Sequence, residues 1–125
     1  MRGTCIIRFE GDVSREVEAD IFGEWAVHVG PSWVHYSRNH SRPANTITHV
    51  PSGMRASCSE TCGISKREAQ RIARHLARTI PAGRTVDEAF GFLVWEQILV
   101  ATYGDPLPPV VRDDVERRRK SMPPR

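Results

Sequence analysis

Residues 45–80 read NTITHVPSGMRASCSETCGISKREAQRIARHLARTI, and the fold turns on a change of period inside them. From Asn45 to Val50 polar and apolar residues alternate, Pro51-Ser52-Gly53 breaks the run, and Met54 to Ser57 pairs back. That is a hairpin, with Gly53 as the natural left-handed residue of its short loop. After Ser65 the period lengthens: Ala69, Ile72, Ala73, Leu76 and Ile80 recur on one face until Pro81-Ala82-Gly83 stops the helix. Ser65 and Glu68 form a capping box, the serine oxygen accepting the third helical amide while the glutamate reaches back, and Ile64 staples onto Ala69. A period that switches from 2 to 3.6 near the middle of the chain predicts strands first and helices after, an α+β fold.

Toward the N-terminus the strand reading continues. Thr4 to Phe9 is β-branched and aromatic, and Glu10-Gly11-Asp12 breaks it. Residues 13–20 are charged and predict a loop or a weak helical turn. From Glu24 to Val29, Trp25, Val27 and Val29 alternate with Ala26 and His28 as in a half-buried strand. Gly30-Pro31-Ser32 turns, Trp33 to Tyr36 returns, and Ser37 to Ala44 is a polar loop. The sum is an antiparallel meander of four to five strands, with His28 and His35 on its polar face.

Toward the C-terminus, Thr85 and Glu88 repeat the capping box and open a second helix that runs to about Thr102, ended by Gly104 and Pro106. It is apolar almost all the way round, so several of its sides need cover. Either it lies between the sheet and the first helix, or residues 86–101 face a partner chain as in a homodimer. Residues 104–109 form a stiff Pro-rich linker. A short basic helix follows, carrying Asp113–Arg117 and Asp114–Arg118 pairs at a spacing of four and a docking stripe of Val111 and Val115. The expected division is one α+β domain over residues 1–103, its sheet covered by two helices, and a linker with a basic helix or tail over 104–125.

At 125 residues the chain suffices for one unstapled core. Its 39% hydrophobic content excludes collagen-like, mucin-like and wholly disordered classes. Three cysteines, an odd count, with no secretory leader, no membrane span and no lipidation motif, predict a soluble cytoplasmic protein with free thiols and no membrane partner.

The net charge of +3 conceals a segregated pattern: residues 1–60 sum to −1, 61–84 to +5, 85–109 to −4 and 110–125 to +3. The sharpest feature lies in the second block. Arg67, Arg71, Arg74 and Arg78 are spaced four, three and four, so at about 100° per residue they fall within about 60° of one another, opposite the apolar face. A row of guanidiniums suits carboxylates or phosphates, read as an acidic protein groove or a nucleic-acid backbone. Otherwise it is simply a solvated helix face. Arg117, Arg118, Arg119 and Lys120 add to the same field if the tail folds back.

Chemistry-bearing motifs are sparse. Cys58 and Cys62 with His49 and His40 supply zinc-type donors, but not the two close pairs of a structural site, and ordinary loop thiols are the simpler reading. A Cys58–His49 pair across the hairpin end is the one arrangement for nucleophilic catalysis. No nucleophile elbow, glycine-rich phosphate loop or His-Glu-x-x-His is present. The expectation is no enzyme, no metal and no cofactor.

Ile47 to Gly53, followed by Ser65 to Ala73, resembles the hairpin-then-helix pattern of small phage and mobile-element proteins of uncharacterised function. The resemblance covers about a quarter of the chain, rests on a turn and a capping box, and transfers no site residue. It implies a compact, non-enzymatic accessory protein; many of these, anti-CRISPR inhibitors among them, bind a host machine and block it. The leading expectation is therefore a stoichiometric inhibitor or adaptor acting on a host protein or complex, through the arginine stripe or the aromatic face around Trp25 and Trp33. Because the chain is basic, simple DNA mimicry is disfavoured, and the expected contact is with acidic protein surface or with nucleic acid itself. The alternative is a nucleic-acid-binding protein that contacts phosphates through the arginine stripe and reads little sequence.

Overall fold

The computed structural model describes residues 1–8, 14–29, 45–56 and 58–122. Five strands, β1 (Arg2–Arg8), β2 (Ser14–Phe22), β3 (Trp25–Val29), β4 (Asn45–His49) and β5 (Met54–Arg55), pair antiparallel in chain order as an open meander. A 3-10 turn, Ser59–Thr61, leads to three helices: α1 (Lys66–Thr79), α2 (Glu88–Tyr103) and α3 (Pro109–Ser121). The expected return strand Trp33 to Tyr36, with the turn before it and the loop after it, lies outside the described residues.

The charged segment 13–20 is the first correction. It is neither loop nor helical turn but most of β2, which pairs with all of β1 from Arg2↔Asp20 to Arg8↔Ser14. Its acids explain the misreading: Glu16, Glu18 and Asp20 occupy one face while Val17, Ala19 and Ile21 occupy the other, a period of two behind a high charge density.

Burial on both faces of the sheet is the second. Trp25, Val27 and Ile47 point toward α1 and join Ile72, Leu76 and Phe90 in the main core. On the opposite face Cys5, Ala19 and Ala26 form a second buried cluster. His28, expected on a polar face, is 5% exposed and sits 2.7 Å from Thr48 Oγ1, while Val29 is 54% exposed.

Ser65 caps α1 as expected, its hydroxyl accepting the Glu68 amide at 3.1 Å, but the Glu68 carboxylate turns to Arg71 instead of reaching back. For α2 the cap is Asp87, not Thr85: its carboxylate accepts the Phe90 amide at 2.8 Å, and the helix starts at Glu88. Part of the apolar surface of α2 is met within the chain, but α2 packs against α1 and is not inserted between the sheet and α1, and Phe92, Leu93 and Trp95 stay partly exposed. Phe90, Val94 and Ile98 enter the main core, and Trp25 and Phe90 lie nearly parallel with centroids 6.3 Å apart. From the other side α3 packs over Phe92 and Trp95, burying Val115. The acid–base pairs of α3 form at a spacing of three, Asp114–Arg117 and Glu116–Arg119, and not at the expected four. Among the described residues no helix is long and apolar enough to cross a membrane.

Candidate functional site

The helical wheel places Arg67, Arg71, Arg74 and Arg78 correctly on the outer face of α1, where all four are exposed. Their neighbours divide them. Arg71, midway along, pairs with Glu68 and donates through Nη1 to the Ala101 carbonyl at 2.5 Å. That carbonyl belongs to the last turn of α2, where acceptors lack intrahelical donors and a cation opposes the helix dipole. The hydrogen bond from Arg71 is the main cause of a Glu68 carboxyl held below its ordinary range, and the same bond raises Arg71. Arg74 lies over the Phe22 ring of β2, 5.0 Å from its centroid. Arg67 and Arg78, at the two ends, have no ion-pair or hydrogen-bond partner among the described residues. Eleven residues of helix set them about 16 Å apart along the axis.

The inner side of α1 is tied to the sheet through Asp20. Burial alone would raise its carboxyl, but hydrogen bonds from Gln70 and Arg2 and the charge of Lys66 hold it below the ordinary value. Gln70 donates at 3.1 Å, and Lys66 Nζ stands 3.6 Å away.

The basic run of α3 is largely engaged as well. Arg118 lies 4.4 Å from the Trp95 centroid, and Arg119 lies 5.6 Å from that of Phe92 while bonding Glu96 at 2.5 Å. Arg117 pairs with Asp114 at 3.3 Å. Lys120 has no partner among the described residues. The run folds back as the sequence allowed, but onto α2, where guanidinium–aromatic contacts spend much of its charge on covering the helix.

A cavity of about 200 Å³ opens between the β4–β5 hairpin, the 3-10 turn and α2, bordered by Trp25, His49, Cys58, Phe90, Gly91 and Trp95. Strand register builds its floor: Trp25 faces His49 across β3 and β4, and the His49 ring lies 4.9 Å from both the Trp25 and the Phe90 centroids. His49 is 3% exposed, its Nδ1 hydrogen-bonded to Ser52 Oγ at 2.8 Å and its Nε2 facing Glu24 Oε1 at 3.6 Å. Cys58 is not bonded to it. Burial pushes the Cys58 thiol up, away from the thiolate form that attacks carbonyls or binds metal, and the Thr61 hydroxyl points at its sulfur from 3.9 Å.

Among the described residues no three His, Cys, Asp or Glu side chains are placed to hold a metal ion; His40 lies outside them. All three cysteines are free. The cavity was invisible to sequence reading because it is made by β3–β4 register and by the seat of α2, neither of which a local pattern encodes. The interior Gly91 of α2 was its one readable trace. Compared with protein-family models, curated proteins and solved structures, the chain matches none of them.

Proposed function

We propose that this chain is a small non-enzymatic binding protein that acts by stoichiometric contact with a partner protein, as phage and mobile-element inhibitors and adaptors do. The observation that supports it is the pair of exposed guanidiniums Arg67 and Arg78 at the two ends of α1, without partners among the described residues and on a face with few acids. An acidic protein surface is the complement of such a face. A nucleic-acid backbone is less well served, because two of the four guanidiniums in the row are already bound to the protein itself.

The test is capture of partners from an extract of the native host by wild-type protein and by the R67E/R78E variant. A stoichiometric protein partner retained by wild type and lost in the variant is the expected result. Filter binding to duplex and single-stranded nucleic acid over a salt series runs beside it. Affinity that falls steeply with salt and vanishes in the same variant assigns nucleic acid and overturns the protein reading.

A further inference from the structure

We propose that the cavity beneath α2 is the anchor pocket for the partner polypeptide, taking one aromatic side chain from a segment that carries carboxylates beside that ring. The inference rests on the binding-protein reading. Size comes first. A volume of about 200 Å³ lies between the ~150 Å³ apolar cavity that admits benzene and the ~300 Å³ at which sites for larger ligands begin. One ring, or two fused, fills it.

The lining sets the chemistry. Trp25, Phe90 and Trp95 offer aromatic surface, His49 is engaged by Ser52 and Glu24 and Cys58 by Thr61, and the lining Arg55 has no ion-pair or hydrogen-bond partner among the described residues. No buried side-chain nitrogen or oxygen among the described residues lacks a hydrogen bond. An occupant finds mostly aromatic surface with one open cation, Arg55, so an apolar ring with a carboxylate beside it is the fitting one.

Gly91 says what kind of molecule carries the ring. Glycine inside a helix costs about 0.5–1 kcal/mol relative to alanine. A Cβ built at Gly91 meets nothing within 4 Å, so no contact inside the chain accounts for the residue. It leaves the α2 backbone bare at the cavity mouth, beside an adaptable Met54 that is 53% exposed. Bare helix backbone at a pocket rim lets another backbone approach closely, which a polypeptide requires and an enclosed small molecule does not.

Charge adds the flanking residues. Trp95 borders the cavity and lies under the Arg118 guanidinium, which has no carboxylate partner among the described residues. Of the acids on the surrounding elements, Asp87 accepts the Phe90 amide, Glu60 the Tyr103 hydroxyl and Glu96 pairs with Arg119, while Glu88 on α2 has no partner among the described residues. A carboxylate next to the anchoring ring therefore meets Arg55, a lining cation with no carboxylate partner among the described residues, with Arg118 beyond Trp95 adding to the same field.

The experiment titrates the isotopically labelled full chain with N-acetyl-Trp-Asp-Asp-amide, N-acetyl-Trp-Lys-Lys-amide and free indole. Expected are saturable shifts at Gly91, Val94 and the Trp95 indole, with the acidic peptide at least threefold tighter than the basic one at low salt. Gly91→Leu fills the mouth, improves helix propensity and raises the melting temperature, so an affinity loss of tenfold or more in that variant is not unfolding. Gly91→Ala, which adds one methyl where the peptide backbone approaches, weakens the acidic peptide by a smaller factor than Gly91→Leu and leaves free indole unchanged. No saturable shift, or equal affinity in Gly91→Leu, overturns the proposal. So does indole binding as tightly as the acidic peptide, which assigns a free small aromatic. A concentration-dependent dimer abolished by Gly91→Leu assigns a second copy and overturns it too. Because the titration uses no cellular partner, its failure beside a capture that depends on Arg67 and Arg78 removes the pocket and leaves the binding reading standing.

Discussion

His28 shows how a single residue records the environment the fold gives it. Its Nε2 is 2.7 Å from Thr48 Oγ1 and its Nδ1 3.3 Å from the Val29 carbonyl, inside a sheet covered on both faces. Burial, with a lesser push from the charge of Arg55, lowers its pKa against the opposing pull of the Val29 carbonyl. The consequence for stability has a definite sign. An imidazole that resists protonation when folded costs nothing while both states are neutral. As pH falls through about 6.5 the unfolded chain takes up the proton first, and stability drops. The slope for one proton is at most about 1.4 kcal/mol per pH unit. Asp20 and Glu68, held below ordinary carboxyl values, act in a separate window at more acid pH. Urea unfolding at pH 7.5, 6.5 and 5.5 checks this: wild type loses stability across that series, and His28→Gln loses less. Parallel curves would sink the assignment. The sequence placed His28 in a strand correctly but assumed one wet face, because alternation alone does not reveal that both faces are covered.

At the scale of elements, legibility followed how loudly each pattern is written. The capping serine and apolar stripe of α1 fixed its start within a residue, since both signals are local. β2 was lost because charge masked an intact alternation, and the α2 cap was misplaced because Thr85 and Asp87 both precede apolar residues and only backbone geometry chooses between them. For the arginines a helical wheel gives direction but not what lies alongside, so Arg71 and Arg74 read as free when α2 and β2 stand next to them. α3 is the element held most lightly: Val115 is its one buried residue, and its other contacts with α2 are two guanidinium–ring contacts and the Arg119–Glu96 pair. Cation–ring contacts at exposed sites contribute about 0.5–1 kcal/mol each, and full burial of a valine about 1.5–3 kcal/mol. Val115→Asp should therefore undock α3 without unfolding the rest. Tryptic cleavage within Arg117 to Lys120 is expected to quicken at least tenfold, and Trp95 emission to shift red, while the main unfolding transition persists. Unchanged proteolysis would mean that α3 is held by more than these contacts.

For the whole molecule the question is which charges hold its parts together and which face outward. Lys66, Arg2 and Gln70 converge on Asp20 to join α1 to the sheet; Arg71 joins α1 to the end of α2; Arg119 joins α3 to α2. Apart from the neutral Gln70, each is a cation at or beside a seam between elements, while Arg15, Arg55, Arg67, Arg78, Arg84 and Lys120 have no partner among the described residues. Arg67 and Arg78 stand outside that scheme. If the division is real, the two groups answer differently to mutation in the absence of any partner. Arg71→Ala removes a half-exposed, solvent-screened ion pair and a charge-assisted bond to a helix-end carbonyl, a loss of about 1 kcal/mol. R67E/R78E reverses two charges on open surface and should stay within about 0.5 kcal/mol of wild type. Denaturant unfolding at neutral pH measures both. A double reversal as damaging as Arg71→Ala would place Arg67 and Arg78 in the same structural scheme, and the outward face of α1 would lose its claim to a partner. A neutral one leaves two guanidiniums about 16 Å apart with no task inside the fold.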